Sequence, residues 1–146
     1  SRYFAVVKRT RPNKVKKIPF DFIFEILSAA EPYTKPMFGC TAVYVGERIV
    51  LILRKKEDFT SDNGVWLATT GEHHASLAKI FPKMRSLALF GPGPTGWQIL
   101  PEDADDFEES VVLACELILK NDQRIGKVPK RKSPKKKIAK KSKHTR

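Results

Sequence analysis

Basic residues in this 146-residue chain are gathered at its two ends, and that segregation limits which part of it can fold. Residues 127–146 hold eleven Lys or Arg, no Asp or Glu, and no aromatic residue. A stretch of this kind has too little apolar surface to offset its ordering entropy and too much like charge to pack, so a disordered tail is predicted. The first seventeen residues repeat the pattern with seven basic residues and no acidic one. The ends together carry +18 against a net +12, which leaves residues 18–126 at −6, from ten basic and sixteen acidic side chains. The predicted organisation is a basic N-terminal arm over 1–17, a mildly acidic domain over 18–126 and a Lys-rich tail over 127–146. About 110 residues suffice for one domain around one hydrophobic core.

Within that middle, the spacing of apolar residues predicts an α+β fold: an antiparallel sheet of about five strands packed with three helices. Pro19 suits a first helical position. Phe22, Ile23, Ile26, Leu27 and Ala30 then share one helical face, and Pro32 stops the helix. Residues 37–45 read as a strand, Gly46-Glu47 as a turn, and 48–54 as the returning strand, rich in the β-branched side chains a pleated surface favours. Residues 55–63 read as a polar loop and 65–69 as a third strand. Thr69 and Glu72 have capping-box spacing ahead of a second helix that ends at Pro82. Two strands, 86–90 and 97–100, flank the loop Gly91-Pro92-Gly93-Pro94-Thr95-Gly96. A third helix opens on Asp103, Asp105, Asp106, Glu108 and Glu109, which suit its dipole, and carries the stripe Phe107, Val111, Ala114, Cys115 and Ile118. Trp66 and Trp97 are expected to pack against the helices, or else to line a pocket.

The longest apolar run, 49–53, falls far short of the roughly 20 residues a membrane-spanning helix needs, so no membrane association is expected. The apolar residues 3–7 are too few for a signal-peptide core. Cys40 and Cys115 make no disulfide framework; both read as small buried hydrophobes, and a reducing, cytoplasmic setting follows.

The terminal charge points to nucleic acid. Lys130, Arg131, Lys132, Lys135, Lys136, Lys137, Lys140, Lys141 and Lys143 are expected to neutralise backbone phosphates and release counterions without sequence preference. Lys14, Lys16 and Lys17 form a weaker second set. With no aromatic residue among them to stack on bases, the tail should take duplex as readily as single strands. The alternative is a solubilising tail on a small-molecule or protein-interaction module. No catalytic residue, metal ligand or cofactor is predicted. His73 and His74 are adjacent, so on a helix they point about 100° apart and cannot share an ion. The acidic run at 102–109 is explained by the helix start, and the Gly-rich loop lacks the Lys-Ser/Thr ending of a phosphate cradle.

Met37-Phe38-Gly39, followed by Thr41-Ala42-Val43-Tyr44-Val45, a turn and an apolar strand, resembles the N-terminal domain of the TfoX/Sxy family, in which this signature opens the first hairpin after a leading helix. Cys40 stands where many members have a second glycine. The C-terminal half, with Trp97 on a strand ahead of the acid-started last helix, is similar to YjbR/MmcQ-type domains. The resemblance implies the α+β fold and an association with DNA or competence regulation, and it brings no catalytic residues. The reading is a non-enzymatic, nucleic-acid-associated protein whose arms supply affinity while the globule meets a further partner, a protein or an unusual nucleic-acid feature.

Overall fold

The computed structural model describes residues 17–91 and 95–129. Six strands form one antiparallel sheet in the order β1-β2-β3-β4-β6-β5. They are β1 Tyr33–Met37, β2 Cys40–Val45, β3 Arg48–Arg54, β4 Gly64–Leu67, β5 Arg85–Ser86 and β6 Gln98–Pro101. Helices α1 Ile23–Ile26, α2 His74–Ile80 and α3 Phe107–Leu119 complete the predicted α+β class. Among the described residues no helix is long and apolar enough to cross a membrane.

The sheet divides the expected single core in two. Strand alternation sends Val65 and Leu67 of β4 under the helices and Trp66 to the opposite face. In β3 the pairing shifts between Val43↔Leu51 and Tyr44↔Ile49, so Val50 is an extra residue. Such a bulge resets which side a strand presents. Val50, Leu51 and Leu53 join the helix-side core, while Ile49 and Ile52 face away. The unbroken apolar run at 49–53 thus serves two buried faces. Trp66 and Trp97 lie on the face away from the helices, contrary to expectation. Once both faces are buried, apolarity ceases to mark the helix side.

Helix α3 follows its sequence closely. All five stripe residues are buried, each large one contributing about 1.5–3 kcal/mol relative to exposure. Asn121 ends it in the left-handed region at φ +60°. The Asn121 N–H donates to Ile118 O at 2.9 Å and the Asp122 N–H to Leu117 O at 3.0 Å, the paired closure of a Schellman motif. The Arg124 guanidinium then holds the Asp122 carboxyl down to about 2.

Elsewhere the chain departs from local expectation. Pro19 does not start a helix: Phe20 has φ +55°, and α1 is four residues long, followed by a 3-10 turn at Ser28–Ala30. Ile23 and Leu27 are fully buried while Phe20, Phe22, Phe24 and Ile26 also pack on the same core. Apolar residues at so many successive positions cannot share one helical stripe, and tight turns seat them instead. The expected strand over 37–45 breaks at Phe38-Gly39, and residues 33–37 form a strand of their own. Pro36 and Lys35 stand in that edge strand, where a missing donor and a charge discourage further pairing. The Thr69–Glu72 capping box does not form: Thr69 Oγ1 is buried without a partner and Thr70 precedes the helical turn. Lys127, assigned above to the tail, is joined to the sheet by paired backbone hydrogen bonds of 2.9 Å with Ile49.

Candidate nucleic-acid interface

A cleft of about 510 Å³ opens between residues 17–19 and strands β1 to β3. Lys17, Lys35, Lys55 and Lys56 line it, together with Gly39 and Cys40, and no Asp or Glu does. The four ammonium groups are not equivalent. Lys35 Nζ sits 5.1 Å over the Tyr44 ring, and Lys55 Nζ is 2.6 Å from Glu102 Oε2. Lys56 Nζ lies against Gly39, so close that a Cβ there would stand 2.7 Å from it. An adjoining cleft of about 400 Å³ shares Lys17 and Lys55 and adds Asp21. Surface cations around a concavity raise the local concentration of polyanions.

A buried network holds the Lys56 backbone in place. Arg54, itself buried, donates to Phe59 O at 2.9 Å, Asn63 Oδ1 at 2.8 Å and Asp58 O at 3.1 Å. Asn63 in turn accepts from Lys56 N–H and donates to Lys56 O, both at 2.9 Å. Residues 55–61 form the expected exposed loop, and the buried Asp62 and Asn63 anchor its end to the sheet. An unpaired guanidinium in this position would carry a heavy desolvation cost, so the loop carbonyls are drawn to it.

The other face of the sheet carries an aromatic cluster. Met37 pairs with Cys40 across the two-residue turn Phe38-Gly39, in which both residues have positive φ. That is the sign pattern of the type I′ turn matching strand twist. Phe38 leans on Phe90 (centroids 5.6 Å apart) and on Trp66 (6.4 Å), and Trp66 contacts Phe90 (5.9 Å) and Trp97 (6.1 Å). Trp66 is 1% exposed and its Nε1–H donates to Asp62 O at 3.0 Å, whereas Phe38 is 55% and Phe90 41% exposed. Residues 87–90, expected in a strand, are turned across this face by Asp62. Its buried carboxylate accepts the Ala88 and Leu89 N–H groups at 3.0 and 2.6 Å, and Arg85 Nη1 at 3.2 Å.

Cleft and cluster meet at the Phe38-Gly39 turn, since Gly39 lines the one and Phe38 belongs to the other. At the far end Lys127 Nζ lies 5.3 Å over Trp97. Cations therefore flank the aromatic cluster, Lys56 beside the Phe38-Gly39 turn at one end and Lys127 over Trp97 at the other. Of the predicted phosphate-binding residues, Lys17 lines the cleft. Lys14, Lys16, Lys130, Arg131, Lys132, Lys135, Lys136, Lys137, Lys140, Lys141 and Lys143 lie outside the described residues. Sequence reasoning missed Lys56, Phe38 and Phe90. The Lys55-Lys56 pair directly after an apolar strand was the legible signal for the first.

Cys40 is half-buried, packed against the Trp66-side core on one side and lining this cleft on the other. Burial pushes its thiol up, against the opposing pull of Lys56 and Arg54, while burial pushes Cys115 up to about 12. Because the thiolate is the nucleophile, iodoacetamide should modify Cys40 in the native protein and reach Cys115 only in denaturant. Intact mass should show one adduct, then two; two adducts formed at equal rates under native conditions would contradict the burial of Cys115. His73 Nε2 is 3.2 Å from Glu72 Oε2 and His74 Nε2 is 3.2 Å from Gly96 O, so the rings take separate partners. No cluster of three metal-binding side chains occurs among the described residues.

Searches of protein-family models, of curated proteins and of solved structures find no match to this chain.

Proposed function

We propose that this chain is a non-enzymatic, nucleic-acid-associated protein of the TfoX/YjbR-like type, its basic ends binding the phosphate backbone without sequence specificity. The observation that carries this reading is the cleft beside Lys17, lined by four lysines of which Lys55 is paired with Glu102. The N-terminal basic stretch thus joins the folded domain at a surface of its own sign, although the domain as a whole carries −6. A tail serving only solubility has no need of such a continuation. On phosphates, the lysines of the two ends release condensed counterions, and the cleft lysines extend the same contact.

Salt dependence tests the reading. With about eight tail cations on phosphates, log K against log salt should slope at roughly −7 on duplex DNA. Truncation after Pro129 spares the Lys127–Ile49 pairing and should remove most of that slope, leaving the share of the N-terminal arm and the cleft lysines. A truncated protein that keeps the full slope overturns the tail's role. Negligible binding by the full chain at low salt overturns the reading altogether and favours the interaction-module alternative.

A further inference from the structure

We infer that Phe38 and Phe90 form a stacking platform for unpaired bases, so that the protein prefers single-stranded nucleic acid to duplex. This rests on the nucleic-acid reading above and names the form of ligand that the folded domain selects. Phe38 occupies a costly position. A bulky side chain at φ +56° is a backbone outlier, and the first residue of such a turn is ordinarily Asn, Asp or Gly. Its ring is also half in solvent, where the hydrophobic effect opposes it. Neither turn geometry nor core packing asks for phenylalanine here. Strain of this kind gathers where a ligand is met.

The platform has a buried base. Both exposed rings meet edge-to-face and rest on Trp66, which Asp62 O holds by its indole N–H. Rings seated against such a base lose less entropy when a nucleobase stacks on them. Charge identifies the occupant. Lys56 lies against the residue that follows Phe38, and Lys127 covers Trp97 at the other end of the cluster. An apolar peptide would satisfy the rings but gain nothing from flanking ammonium groups. A single strand presents π-faces and phosphates together, and aromatic rings within a cationic track are how such strands are held. A duplex keeps its base faces inside the stack, and only its phosphates reach the lysines.

The experiment compares the full chain with a Phe38→Asn/Phe90→Ser variant on fluorescein-labelled oligo-dT and on a duplex of equal length, by anisotropy near physiological salt. Asn tolerates positive φ, so F38N keeps the turn, and a thermal melt matching the parent verifies the fold. The parent should bind oligo-dT more tightly than duplex and quench its tryptophan emission on doing so. The variant should lose roughly 10- to 100-fold on oligo-dT and change little on duplex. A variant that melts normally yet binds oligo-dT like the parent sinks the platform, as does a parent with no preference for single strands. Both outcomes leave the phosphate-binding reading standing. A parent that binds neither probe sinks both.

Discussion

A Gly64→Ala chain will melt far below the parent protein. Gly64 opens β4 with φ +148°, a conformation essentially reserved for glycine, and it sits between Arg54 of β3 and Pro101 of β6. A Cβ there would collide with the Leu100 carbonyl oxygen, stand 2.9 Å from Glu102 N and 3.1 Å from Pro101 Cα. All three are backbone atoms, so no side chain can swing aside. Strand β6 cannot retreat freely either, because Glu102 N–H donates to Asn63 O at 2.9 Å beside the same position. Overpacking costs about 1–3 kcal/mol, and the forced backbone conformation costs about 1–3 kcal/mol more. Against a total stability of about 5–15 kcal/mol, the loss threatens the folded state at body temperature. Circular dichroism melts of both proteins give the answer; a midpoint within about 2 °C of the parent would show that β6 yields easily.

Asp62→Ala should be nearly as damaging, for a different reason. Asp62 is 0% exposed, and its carboxylate is the acceptor for the Ala88 and Leu89 N–H groups. Hydrogen bonds to a charged group contribute about 1.5–3 kcal/mol each, and the partly buried Ala88 and Leu89 N–H groups would lose that acceptor. Allowing for non-additivity, the expected loss is about 3–5 kcal/mol. Arg85 shares the carboxylate, but its side chain is 38% exposed and turns to water when the partner goes. Arg85→Ala should therefore cost about 1 kcal/mol or less. Urea melts of the two variants separate the contributions. Equal losses would mean that the ion pair, and not the capture of residues 87–90, dominates. Because the segment captured by the Asp62 carboxylate carries Phe90 onto the Trp66 ring, D62A should change tryptophan emission, and Arg85→Ala should leave it nearly unaltered.

Both variants act where the sequence is least readable. Local pattern sufficed for α3, whose stripe spacing and acidic first turn name its buried face without outside help. It sufficed for β3, whose predicted bounds coincide with those observed, and for the Gly46-Glu47 turn between Val45 and Arg48. It failed for residues 87–90, which carry strand-like side chains but give two N–H groups to a carboxylate some 25 positions earlier. It failed again for Trp66 and Trp97, because period-two alternation separates two faces without saying which one the helices cover.

The charge segregation, the α+β class and the identity of α3 as the long amphipathic helix were set by the sequence alone, since each rests on neighbours within a few positions. The two-sided burial of the sheet, the seating of Arg54 and Asp62, and the flanking of the aromatic cluster by Lys56 and Lys127 were decided only by the tertiary structure. These depend on pairings between residues tens of positions apart, whose energies come from excluding water between partners that no local window contains together.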